Sequence, residues 1–165
     1  MVEDPLYHRY VYTSTKDYTS IVSLGAAIDF YNNMLGGEDQ IYNYTRSLAL
    51  QAKQYLIETW KTQSMAPDHM EVFMVHVVLP QLSGEDDDDD DDNNNNDNDD
   101  INKKSDVEKA KELQQWLYDE KDMYVVIAQD PSSGLFYTRL SSQVYLQIDD
   151  FVHLGDAVLE FLNRK

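Results

Sequence analysis

The sequence contains no cysteine, which excludes disulfides, thiolate metal sites and a cysteine nucleophile, and fits a reducing compartment. Its 13 basic residues against 31 acidic ones form no patch, so the electrostatic footprint of a nucleic-acid binder is missing. No apolar run approaches the roughly 20 residues of a membrane-spanning helix. The N-terminal stretch MVEDPLYHRY lacks the basic-then-apolar order of a signal peptide. Together these features predict a soluble, cytosolic chain with no nucleic-acid or membrane partner. The four histidines, His8, His69, His76 and His153, show no metal-ligand spacing. His76 lies in an apolar run and reads as a hydrogen-bonded core residue rather than a ligand.

What is abundant is negative charge, and much of it is local. Of the net −18, the stretch Glu85 to Asp100 supplies 11 acidic residues and no basic one, leaving 20 acidic against 13 basic elsewhere. Such a tract (GEDDDDDDDNNNNDNDD) repels itself and has nothing to bury, so residues 83–104 are expected to be a disordered insertion. As a calcium site it lacks fixed spacing around a glycine turn. The 165-residue chain is one domain's worth. It is expected to comprise an extended segment with a hydroxyl loop (1–18) and a small domain in two pieces (19–82 and 105–165).

Thr13, Ser14 and Thr15 suit either a cap for the following helix or a phosphate-touching loop. Leu24, Ala27, Ile28, Tyr31, Met34 and Leu35 recur at helical spacing, predicting a helix from about Thr19 that Gly36 and Gly37 end. A second helix, about Glu38 to Lys61, carries Ile41, Tyr44, Leu48, Ala52, Tyr55, Leu56 and Trp60 on one stripe. Asn43-Tyr44-Thr45 matches a glycosylation sequon but falls inside that helix. Met70 to Leu79 and Met123 to Ala128 are expected strands, apolar on both faces and so needing two covers. Ser105-Asp106-Val107-Glu108 has the pattern of a capping box, opening a helix to about Asp119. Asp130 to Gly134 is turn chemistry, and a last helix starts near Asp149 or Asp150, whose charges suit its positive end. The order predicts a two-layer α+β domain with a small, mostly antiparallel sheet and helices on one face.

Within this frame, LFYTRLSSQVY (Leu135 to Tyr145) places a single arginine in an apolar and hydroxyl-bearing strand. Alternation puts Phe136, Thr138 and Leu140 on one face and Tyr137, Arg139 and Ser141 on the other. The Arg139 guanidinium is a rigid fork suited to a carboxylate or phosphate held by two hydrogen bonds. The plainer alternative is a sheet-edge arginine reaching solvent.

Several stretches then resemble the C-terminal part of class V aminotransferase-like enzymes that depend on pyridoxal phosphate, in the isopenicillin N epimerase-like branch. They are Tyr12-Thr13-Ser14-Thr15-Lys16-Asp17, Gly25-Ala26-Ala27-Ile28-Asp29-Phe30, the Leu48-Ala49 pair, Trp60-Lys61-Thr62, Leu79-Pro80, and Arg139-Leu140-Ser141-Ser142-Gln143-Val144-Tyr145 with Asp149-Asp150-Phe151. Tyr12, Ser14, Gly25 and Leu146 depart from the residues usual in that family. The resemblance implies that Arg139 holds an amino-acid substrate's α-carboxylate and that Thr15 approaches the cofactor phosphate, in many members from a homodimer partner. It also implies a lysine on a large upstream domain as the cofactor's covalent anchor. None of Lys16, Lys53, Lys61, Lys103, Lys104, Lys109, Lys111 or Lys121 sits in a matching context, so each is expected to be a solvated side chain. The chain is thus expected to be a truncated or split small domain that works with a large domain or companion chain. The alternative is a non-catalytic protein-interaction module that retains the fold.

Overall fold

A computed structural model describes residues 17–82 and 98–164, with side chains in the second span from 106 onward. Thr13, Ser14, Thr15 and the acidic tract up to residue 97 lie outside the described residues. The chain divides into two compact units, 1–41 and 42–165.

In the first unit, α1 (Thr19–Asp29) is opened by Asp17, whose Oδ1 accepts the Thr19 N–H at 2.8 Å. That bond supplies a partner for an amide no helical carbonyl can reach. The helix continues as a π-type turn over Phe30–Met34. Gly36 and Gly37 follow at φ of +80° and +81°, a left-handed conformation that costs glycine little. The expected apolar stripe is present but none of it is buried: Leu24, Ile28 and Met34 are exposed, as are Ile21 and Val22 on either side of it.

The second unit packs three helices, the first of them from Tyr42 on, on one face of a three-stranded antiparallel sheet. The helices are α2 (Gly37–Trp60), α3 (Asn98–Lys121) and α4 (Ile148–Leu162). The strands β1 (Met74–Val78), β2 (Val126–Gln129) and β3 (Phe136–Ser141) are arranged β1-β3-β2. The expected α+β layering is therefore observed. The core joins Leu48, Ala52 and Leu56 of α2, Leu113 and Leu117 of α3, and Phe151, Leu154 and Val158 of α4 to Val75, Val77 and Leu140 of the sheet. Burial of each leucine, valine or phenylalanine side chain among them contributes about 1.5–3 kcal/mol.

Three element boundaries differ from expectation, each for a local reason. β1 starts at Met74 rather than Met70, because Met70 N–H bonds back to Pro67 in a single 3-10 turn. The next residue, Glu71, is then turned inward, where it is buried. β2 starts at Val126 rather than Met123. The Met123 N–H returns to the Leu117 carbonyl at 2.9 Å, with Asp122 left-handed at φ 53°, so residues 122 and 123 finish α3. Finally, α3 already runs from Asn98, so Ser105 to Glu108 lies inside the helix and is not its start. Inside α2, Asn43-Tyr44-Thr45 is helical and Thr45 is buried, consistent with setting the sequon aside.

At Gly155 of α4 the backbone comes so close to α2 that an added Cβ would lie 3.0 Å from Leu56 Cδ2 and 3.1 Å from Tyr55 Cε1. The Gly155 carbonyl accepts the Trp60 Nε1–H at 3.2 Å, tying the end of α2 to the middle of α4.

Candidate functional site

The side chains of β3 alternate as its sequence predicts. Thr138 and Leu140 are buried toward the helices, while Arg139 is exposed on the opposite face. Because β3 lies between β1 and β2, Arg139 stands on the central strand. The alternative of a sheet-edge arginine reaching solvent is thereby corrected in its placement, since the strand is central, while the side chain does reach solvent. The strand is held centrally because Phe136, Thr138 and Leu140 give it an apolar inner face, and because Asp130 to Gly134 folds β2 back onto it. In that turn the Asp130 carboxylate accepts the Ser132 and Ser133 hydroxyls at 2.7 and 2.5 Å and the Ser133 N–H at 2.9 Å. The Ser133 hydroxyl above all, then Ser132, hold the Asp130 carboxyl down to about 2.

Directly across β1 from Arg139 lies His76, and across β2 lies Val126. Such opposed residues share a face. His76 therefore belongs to the Arg139 face, half-buried, with its ring edge-on to Tyr137 at 5.4 Å between centroids. The expectation of a core histidine is corrected, since the strand period sends His76 away from the helices while Val75 and Val77 are buried among them. Met74, on the same face, is 53% exposed. The second cover that these strands were expected to need is incomplete among the described residues.

Arg139 also lines a cleft of about 440 Å³ between the β2–β3 edge and the first turn of α4. Its polar walls are Asp122, Tyr124, Ser141, Asp150 and His153, over an apolar floor that includes Val126 and Leu146. Asp150 accepts the Gln147 N–H at 2.7 Å through Oδ2, which fixes the carboxylate at the helix start. The Tyr44 hydroxyl donates to the Leu146 carbonyl at 2.6 Å and anchors the loop that closes this end. No described side chain pairs with Arg139, so its donor fork is available to a ligand in the cleft.

A second polar cluster was not foreseen. Lys53, expected to be a solvated lysine, is buried inside α2's core-facing stripe and donates to Asp68 Oδ1 at 2.5 Å and to Glu71 Oε2. Burial alone would lower the Lys53 pKa, but the hydrogen bonds it donates to Asp68 and Glu71, with the attraction of their charges, outweigh it and the net shift is upward. The hydrogen bond from Lys53 holds the Asp68 carboxyl below its usual range. In sequence, Lys53 occupies a stripe position between Ala49 and Leu56, and that placement was the available signal. Asp150 and His153 are not singled out as candidate site residues by the sequence, where Asp150 reads as a charge suited to the helix start.

Pyridoxal phosphate requires an amine for its aldehyde and donors for its phosphate. The cleft offers one guanidinium, two carboxylates and no lysine, so these residues do not by themselves fit that cofactor. Thr15, the expected phosphate contact, lies outside the described residues. Among the described residues no group of three or more histidine or acidic side chains could hold a metal ion. No helix among them is long and apolar enough to cross a membrane.

No family model matches the chain. Over 155 residues it is 26% identical to a probable L-cysteine desulfhydrase, chloroplastic, of Arabidopsis thaliana, a match covering 89% of this chain and 28% of that protein. It is 24% identical over 158 residues to the hercynylcysteine sulfoxide lyase of Schizosaccharomyces pombe, covering 96% of this chain and 33% of the lyase. An L-cysteine desulfhydrase of Arabidopsis thaliana is 26% identical over 163 residues, covering 90% and 31%. The chain thus spans about a third of the length of the curated relatives it matches.

Proposed function

We propose that this chain is the small, C-terminal-type domain of a pyridoxal-phosphate-dependent enzyme of the class V aminotransferase-like, isopenicillin N epimerase-like kind. Its whole enzyme would act on an amino acid, and of epimerase, lyase, desulfurase and transaminase the lyase reading is favoured. Two of the similar proteins are named desulfhydrases and one a lyase, each named for a cysteine or cysteine-derived compound. The observation that carries the proposal is Arg139: an exposed guanidinium on a central strand, lining a cleft of amino-acid size that the first turn of α4 helps to wall. In this reading Arg139 clamps the substrate's α-carboxylate and Thr15 contributes a phosphate contact, with a homodimer partner nearby. Pyridoxal phosphate would be held chiefly by a large companion domain or chain, which also supplies the covalent lysine and covers the open sheet face. What this chain contributes to catalysis is orientation: a two-pronged contact at the carboxylate fixes the α-carbon relative to the companion domain.

The test is reconstitution. The chain is co-expressed with the upstream two-thirds of one of the matched desulfhydrases, and sulfide release from L-cysteine is measured. Recovery of activity that Arg139→Lys lowers chiefly through KM supports the proposal. Failure of the two parts to associate, or activity indifferent to Arg139→Lys, overturns it. The second reading, a protein-interaction module that kept the fold, is favoured by the exposed apolar residues Ile21, Val22, Leu24 and Met34 of the first unit. It predicts a stable partner complex in which Arg139→Lys has no effect.

A further inference from the structure

The charges around Arg139 do not balance. Arg139 brings one positive charge to the cleft, and Asp122 and Asp150 bring two negative ones. An amino acid whose side chain is neutral is a zwitterion, so docking its carboxylate on Arg139 leaves the cleft at −1. One whose side chain ends in a cation brings the total to zero.

Both carboxylates are set by backbone that the fold fixes. Asp150 stands in the first turn of α4, and its Oδ2 is committed to the Gln147 N–H while Oδ1 has no described donor. Asp122 sits on the left-handed elbow that ends α3, immobilised by the Met123-to-Leu117 bond. Between them and Arg139 the floor is apolar, at Val126 and Leu146, which suits the methylene stem of a long side chain.

We infer that this cleft selects α-amino acids whose side chain ends in a positive charge, with Arg139 taking the α-carboxylate and Asp150, backed by Asp122, taking the distal cation. This rests on the proposed carboxylate role of Arg139 and adds the class of substrate.

The experiment uses the full chain at mildly alkaline pH. Backbone amide shifts of Ser141 and His153 are followed by NMR during titration with L-lysine, with its neutral near-isostere L-norleucine, and with 1,5-diaminopentane, which lacks the carboxylate. L-Lysine should bind about threefold tighter than L-norleucine, the scale of a partly exposed ion pair. Asp150→Asn, which keeps an oxygen for the Gln147 N–H, should erase that preference. Arg139→Gln should weaken both amino acids and should not weaken the diamine. Equal binding of lysine and norleucine, both weakened by Arg139→Gln, overturns the cationic selectivity and spares the carboxylate role. Norleucine binding indifferent to Arg139→Gln overturns the carboxylate role itself, and absence of any amino-acid binding up to the solubility limit overturns both.

Discussion

Glu71 joins a buried lysine to the strand opposite Arg139: Oε2 accepts from Lys53 Nζ, and Oε1 accepts the His76 backbone N–H at 3.1 Å. Lys53 and Glu71 expose only 5% and 3% of their side chains. The His76 carbonyl is taken on the same edge by the Met65 N–H at 3.0 Å, so β1 presents no free edge at the residue paired with Arg139. Removing one partner strands the other as a buried charge, and Lys53→Ala should cost about 3–5 kcal/mol. The double variant Lys53→Met, Glu71→Gln removes both charges while keeping an amide carbonyl for His76, and should recover most of that loss. Lys53→Met with Glu71→Leu should recover less, by about 1–3 kcal/mol, because the His76 N–H is left unpaired. Chemical denaturation of the three variants checks the ranking, and equal stability of the two double variants would remove Glu71 from the edge-capping role.

The same cluster sets a pH window. Lys53 is raised above 10.5, so its contribution is fully present below that value and is lost as pH climbs through the raised pKa. Asp68 is lowered below 3.8, so its contribution is present above 3.8 and is lost as pH falls through the lowered pKa. Melting temperature should therefore show an alkaline decline that Lys53→Met abolishes. A decline of unchanged size in that variant would assign it to other groups.

Asp130 makes a sharper acid-side prediction. Its carboxyl is held near 2 rather than 3.8, first by the Ser133 hydroxyl and then by Ser132, and the turn keeps this benefit above 3.8 and loses it between there and 2. An NMR titration should place the Asp130 midpoint near 2 and move it upward in Ser133→Ala. An unshifted midpoint in that variant would mean that the hydroxyl does not hold the carboxylate.

Gly155→Ala should destabilise despite alanine's better helix propensity. The propensity gain is about 1 kcal/mol. Against it, the new methyl falls at 3.0 Å from fully buried Leu56, and overpacking of this kind costs about 1–3 kcal/mol. Gly155→Val, with more volume and poorer propensity, should be worse. A melting temperature raised by Gly155→Ala would show that α4 can move off α2 freely.

Much of the fold was legible because periodicity reports which face is buried. The alternation Phe136, Thr138, Leu140 against Tyr137, Arg139, Ser141 predicted the observed inner and outer faces of β3, and the Leu48 to Trp60 stripe predicted the buried side of α2. Boundaries were less legible where a residue's hydrogen bond overrode its apolar neighbours. Met70 is drawn into a 3-10 turn, Met123 into a helix end, and neither preference shows in a run of β-branched residues. The ion pair of Lys53 joins residues 18 positions apart through a turn, and only the fold reveals that they meet. The same holds for the cleft, where Asp122, Arg139 and Asp150 come from three different elements.

The last prediction concerns the cofactor. If the covalent lysine belongs to a companion domain, the chain alone should not take up pyridoxal phosphate at one defined lysine. No lysine lines the Arg139 cleft. Lys53 is buried against Glu71 with its pKa raised, which keeps its amine protonated and unreactive toward an aldehyde. Lys121 is held by Glu160 at 2.6 Å and stacks over Trp116 at 4.9 Å from the ring centre. Exposed lysines such as Lys61 and Lys111 react only as any surface amine does, without a site to favour one of them. Incubating the chain with pyridoxal phosphate, reducing with borohydride and mapping the adducts by mass spectrometry should give low, scattered labelling. The same treatment of the reconstituted complex should give one adduct per assembly, on the companion. A stoichiometric adduct on a single lysine of the isolated chain would show that it carries its own anchor, and would replace the split-domain reading with a self-sufficient cofactor site.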